Sequence, residues 1–162
     1  MAIIPLRGTR RRGQCPPGED SREIRPADFF VDYLTSSLAP DEILTSIRVP
    51  KLDGWGYRYE KFNVTAQAWA IVGVAAVARR SNGHVAEARV GLTNMGSVPI
   101  RAQAAEAAAA GAEASAAGLA AAAAHADEGT NPPSDLRAAA DYRRHLARVL
   151  TGRALAAAAG AS

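Results

Sequence analysis

The most constraining feature of this sequence is the dipeptide Asn82-Gly83, set between two runs that alternate apolar and other residues. Asn and Gly adopt positive φ at least cost, and a two-residue turn between antiparallel strands demands that backbone geometry. The pattern predicts a hairpin. Its first arm is Ala70 to Arg79, with Ile71, Gly73, Ala75 and Val77 on one side. Its second arm, VAEARVGLTNM, has Val85, Ala88, Val90 and Leu92 as apolar positions. A lone hairpin is barely stable in water, so neighbouring sequence must cover it. Trp55 to Phe62 supplies a third strand, with Tyr57, Tyr59 and Lys61 on one face by the two-residue period. The expectation is a small three-stranded antiparallel sheet.

After Pro99 the sequence turns helical. One helix is predicted over Arg101 to Ala110, closed by Gly111, and a second runs to about Ala126. Gly118 weakens the second by roughly 1 kcal/mol relative to alanine. The whole stretch from Ala102 to Ala126 has the length of a membrane span. It is alanine interrupted by Glu106, Glu113 and two glycines, without the Leu, Ile and Phe that drive insertion, so no membrane association is expected. Ser134 is a plausible N-cap for a long last helix with Leu136, Tyr142, Leu146, Val149 and Leu150 near one stripe. Arg137, Arg143, Arg144 and Arg148 fall largely on other faces. The fold class is therefore α+β, a small sheet with a C-terminal helix bundle. Of the 162 residues 48% are hydrophobic, but much of that is alanine and only 6% are aromatic, which predicts a thin core.

Upstream of the sheet, residues 1–24 read as a poorly structured leader rich in Gly, Pro and polar residues. It holds Arg7, Arg10, Arg11 and Arg12 and the single cysteine, Cys15. One thiol forms no internal disulfide, which fits a reducing, cytoplasmic setting. RPADFFVDYLTSSL then places Phe29, Phe30, Tyr33 and Leu34 at helical spacing behind Pro26. Ile43 to Ile47 alternates as a strand that Pro50 ends.

No catalytic constellation is visible. His84, His125 and His145 have neither metal-ligand spacing nor a nucleophile motif, and no glycine-rich phosphate loop occurs. Lys61 is the best single candidate for ligand contact, because a strand-end lysine projects a mobile charge over its surroundings. Read from spacing alone it is an ordinary solvated charge whose stem covers Tyr59. Glu60 points to the opposite face and does not neutralise it.

Four segments in order carry a resemblance: PADFFVDYLTSSLAPDEILTSIRVP, YEKFNVTAQAWAIVGVAAV, VGLTNMGSVPIRA and NPPSDLRAAADYRRHLARVLTGRAL. Together, over about Arg25 to Ala157, they resemble the C-terminal part of the FAD-binding medium subunit of molybdenum hydroxylases, the xanthine and carbon monoxide dehydrogenase flavoproteins. The resemblance implies that residues 25–53 are the remnant of a second FAD-binding α/β lobe and that 54–160 form the flavoprotein C-terminal domain. It implies FAD as cofactor, with Leu44 and Lys61 as flavin contacts. It also implies two partners, a molybdenum-binding large subunit and a [2Fe-2S] small subunit whose electrons pass through FAD to an acceptor.

The chain departs from the family pattern at three places. Ala68 stands before Trp69 where an acidic residue is usual, and Val64 and Thr65 replace basic residues. The glycine-rich turns that hold the FAD pyrophosphate are absent from the sequence, so two contacts are not expected to retain FAD, and a truncated, singly inactive segment is the expectation. The alternative from another class is a stand-alone interaction module whose basic tail binds nucleic acid; no aromatic stacking surface accompanies those arginines, which argues against it.

Overall fold

The computed structural model describes residues 6–9 and 21–161. The chain divides into two units, Met1–Leu52 and Asp53–Ser162.

The first unit contains β1 (Leu6–Thr9), β2 (Ser21–Ile24), α1 (Pro26–Phe29), β3 (Phe30–Asp32), β4 (Thr35–Ser36) and β5 (Ile43–Ile47). β1 is the centre of an antiparallel sheet ordered β2-β1-β5, and β3 and β4 form a separate hairpin. The expected unstructured leader thus contributes two strands, and the rest of it, Cys15 and Arg10 to Arg12 included, lies outside the described residues. Four-residue strands are too short for hydrophobic alternation to reveal them. The helix expected from Pro26 onward lasts one turn. Pro26 starts it, but the aromatic and β-branched run Phe29-Phe30-Val31 prefers extended backbone. Leu34, at φ 53°, turns the chain back into β4. Arg22 ties this unit together with two 2.7 Å bonds to the Glu42 carboxylate and a third, also 2.7 Å, to the Ser37 carbonyl.

The second unit contains β6 (Gly56–Phe62), β7 (Val72–Ser81), β8 (His84–Thr93), β9 (Ile100–Arg101), α2 (Gln103–Ala109), α3 (Ala116–Ala123) and α4 (Ala140–Ala158). The sheet order is β6-β7-β8-β9, antiparallel throughout. Four strands therefore replace the three expected. Ile100 and Arg101 pair with Leu92 and Gly91 before α2 begins, and a two-residue strand after a proline leaves no periodic signal. Glu106 extends that short edge: its carboxylate accepts from the Val90 amide at 2.8 Å and from Arg101 at 2.6 and 2.7 Å.

The Asn-Gly hairpin forms as expected, with Asn82 at φ 49° and Gly83 at φ 80°. The apolar positions of β8 step by three between Val85 and Ala88 because a bulge opposite Arg79 and Arg80 inserts one residue. Val72, Val74, Ala76 and Ala78 of β7 join Val85, Ala88, Val90 and Leu92 on one buried face, which the three helices cover. The core is alanine-rich as the composition implied. Gly118 turns out to be required: a Cβ there would stand 2.7 Å from the Glu113 carbonyl, while its amide donates to the Ser115 hydroxyl that caps α3.

The stripe expected on the last helix is only partly right. Leu146 and Leu150 are buried, but Tyr142 is half-exposed, and Leu136 lies before the helix in full contact with solvent. Arg143, expected on another face, is buried at 1% exposure. Its guanidinium donates to the Ile71 carbonyl at 2.6 Å and to Asp135 at 2.7 Å, so a cation completes the buried stripe by pairing at both ends. Ser134 does not cap by the usual spacing, yet its hydroxyl accepts from the Ala140 amide at 2.9 Å as α4 opens. Among the described residues no helix is long and apolar enough to cross a membrane.

Candidate functional site

The helices cover one face of the four-stranded sheet and leave the other bare. On the bare face, alternation places Tyr57, Tyr59 and Lys61 of β6 beside Val77, Ala75 and Gly73 of β7, with Arg89, Gly91 and Thr93 of β8 beyond. Gly73, directly opposite Lys61, is a gap in that surface. A Cβ there would lie 2.6 Å from the Thr93 hydroxyl oxygen and 2.9 Å from the Tyr59 hydroxyl. Two hydroxyls therefore converge on the strand position next to the lysine. Sequence reasoning singled out Lys61 without them, and only the register across three strands brings Thr93 to this point.

Lys61 itself is exposed and forms no ion pair among the described residues. Glu60 lies on the opposite face, where Arg58 binds it at 2.7 Å, so the separation expected from strand alternation holds. At the far end of the bare face the Trp55 ring is approached by two guanidiniums, Arg89 at 5.0 Å and Arg79 at 6.0 Å from its centroid. Arg89 also holds Glu87, and that bond is the main reason the Glu87 carboxyl titrates below its ordinary range.

The segment after Lys61 is a fixed loop with an exposed tip. Its exit is held by Asn94, whose amide donates to the carbonyls of Ala70 at 2.9 Å and Ile71 at 3.2 Å, and by buried Arg143 on the same Ile71 carbonyl. Within it, Asn63 donates to the Thr65 carbonyl and the Ala68 amide to the same oxygen. Val64 and Trp69 remain about two-thirds exposed, presenting apolar surface just past the lysine. Leu44 sits in the first unit, 39% exposed on β5 and in register with Gly8 of β1. The two residues singled out for flavin contact thus belong to different units.

The histidines do not gather. His84 approaches the Gly111 carbonyl at 3.2 Å, His125 pairs with Glu128 at 2.5 Å, and His145 is exposed on α4. Among the described residues no three His, Cys, Asp or Glu side chains are grouped to hold a metal ion.

This architecture, a sheet backed by helices on one face with a lysine and hydroxyls on the other, defines an α+β domain. Residues 57–158 match the model of the CO dehydrogenase flavoprotein C-terminal domain. The carbon monoxide dehydrogenase medium chain of Afipia carboxidovorans is 33% identical over 138 residues, covering 85% of this chain and 48% of the relative. The glyceraldehyde dehydrogenase medium chain of Sulfolobus acidocaldarius is 29% identical, covering 83% and 48%. Among solved structures, carbon monoxide dehydrogenase of Hydrogenophaga pseudoflava, in a form lacking the Mo-pyranopterin moiety of its molybdenum cofactor, superimposes with a TM-score of 0.83. It is 34% identical, over 96% of this chain and 52% of the other. The chain belongs to the family of FAD-binding medium subunits of molybdenum hydroxylases. It spans about half the length of these relatives.

Proposed function

We propose that this chain is the C-terminal segment of a flavin-bearing electron-transfer subunit, working beside a molybdenum-binding large subunit and a [2Fe-2S] small subunit. The observation that carries this reading is the match over residues 57–158, combined with an exposed Lys61, without an ion pair among the described residues, on the bare face of that same domain. Lys61 is taken as a contact to a flavin-ring oxygen, and Leu44, on the unit read as the remnant of a second FAD lobe, as an apolar contact. FAD, when bound, supplies the redox chemistry, accepting electrons from the clusters and releasing them to an acceptor. Within the second unit, the residues that suit one side of a flavin ring are a cation, Lys61, and the apolar loop tip of Val64 and Trp69 that follows it. They do not fit the pyrophosphate, since the sequence contains no glycine-rich phosphate loop of the usual types. The role derived for this chain is therefore to present side chains to a cofactor held mainly by other backbone.

The test is a mixing experiment. The purified chain with equimolar FAD, passed over a desalting column, is expected to emerge colourless with the flavin retarded. A stoichiometric yellow protein would refute the division of labour proposed here.

A further inference from the structure

The two edges of the four-stranded sheet are unlike. β9, at one edge, is two residues long and its end is clasped by Glu106, which is how natural sheets blunt an edge. β6, at the other, is seven residues long, has no proline, and runs against β7 with an unbroken register from Gly56↔Ala78 to Phe62↔Val72. Its aromatic side chains are exposed, Tyr57 at 83% and Tyr59 at 57%. Of the usual edge protections β6 has only its charges, Arg58, Glu60 and Lys61, and lacks the shortness, proline or bulge of a blunted strand.

The sequence of β6, GYRYEKF, is complementary to itself when reversed about its centre. In an antiparallel pairing of two copies with Tyr59 opposite Tyr59, Arg58 stands opposite Glu60 twice. Tyr57 stands opposite Lys61 twice, an aromatic ring beside an ammonium. Gly56 stands opposite Phe62, with the Ala158 carbonyl of α4 occupying the space over the glycine. A shift by one residue turns every side chain to the other face, and a shift by two sets Arg58 beside Arg58 or Glu60 beside Glu60. The complementarity selects one register with two-fold symmetry, the closed arrangement that stops at a dimer.

We propose that β6 is an edge-pairing interface for a second copy of this chain, joining two four-stranded sheets into one of eight strands. This goes beyond the flavin reading and does not rest on it. Arg58 and Glu60 already bind within one strand at 2.7 Å, and in the dimer each faces the opposite charge across the seam as well.

The test follows from the register. Sedimentation or light scattering on the full chain is expected to show twice the 16.9 kDa mass, with a concentration-dependent return to monomer. Arg58→Glu and Glu60→Arg each place two like-charged pairs across the seam and are expected to weaken association at least about tenfold. Mixing these two variants restores opposite charges across the seam but not within either strand, so a heterodimer is expected from two chains that are separately monomeric. Circular dichroism establishes that each variant is folded. A wild-type chain that stays monomeric at every concentration overturns the proposal. So does a dimer indifferent to both charge changes, or a mixture that forms no heterodimer.

Discussion

At the scale of single residues, this domain depends on places where a side chain is missing. The Cα of Gly56 lies under the end of α4, where a Cβ would come 1.9 Å from the Ala158 carbonyl oxygen. That atom is helix backbone and has no flexible way to yield, so Gly56→Ala must displace the last turn of α4 or bend β6. A loss of about 1–3 kcal/mol in urea unfolding is expected. Gly91, on the bare face, has nothing within 4 Å of the same position, and Gly91→Ala is expected to change stability by less than about 0.5 kcal/mol. Equal losses at both sites would remove the packing explanation. Sequence showed Asn82 and Gly83 plainly because a turn residue declares itself locally. Gly56 did not declare itself, because its need arises from a carbonyl that arrives from elsewhere in the fold, and Gly118 did not because the nearby Glu113 carbonyl crowds it only once α3 has formed. The same holds at the candidate site. Lys61 was legible from its strand position, whereas Thr93 and Tyr59 meet over Gly73 only through a register across three strands.

At the scale of elements, α4 shows how a polar residue enters a buried stripe. Asp135 folds the approach to the helix: its carboxylate accepts from the amides of Arg137 at 2.8 Å and Ala138 at 3.0 Å, and receives Arg143 at 2.7 Å. Those two backbone bonds first, and the neighbouring guanidinium after them, hold its carboxyl below the ordinary range. A carboxyl depressed in the folded state contributes stability that is fully present above its unfolded value and is lost as pH falls through the folded one. Acid unfolding is therefore expected to steepen below about pH 4, the ordinary aspartate range. Asp135→Asn keeps an oxygen for the two amides but has no charge to lose, so its stability should fall less steeply over that interval. An unchanged slope would show that other carboxylates govern the acid limit. The hydrophobic pattern missed Arg143 because an arginine is scored as surface unless its partners are known. It misjudged Phe29 to Leu34 for the opposite reason: spacing suited a helix while extended preference and a left-handed Leu34 made a hairpin.

At the scale of the whole molecule, the two units differ in how much apolar surface each buries. The first unit buries little; Ile43, Leu44 and Ile47 of β5 are all exposed, and Ile24 is its one large apolar side chain that is buried among the described residues. The second has a continuous core that reaches from β7 and β8 into all three covering helices. The boundary falls at Leu52 and Asp53, preceded by Val49 to Lys51 in neither helix nor strand, with Lys51 exposed. Proteases cut where a segment can enter the active site extended, so brief trypsin treatment is expected to cleave after Arg48 or Lys51. The arginines of β6, β7 and β8 are held in paired strands, and those from Arg143 to Arg153 lie in α4, where local unfolding must come first. Arg137 is also exposed outside helix and strand, so mass spectrometry should then find a persistent fragment beginning at Val49 or Leu52 and ending at Arg137 or Ser162. If the earliest cuts fall instead within β6 to β8 or α4, the second unit does not hold its core independently. Its bare face and long edge would then be places where stability is missing, and the docking roles argued for them would lose their physical basis.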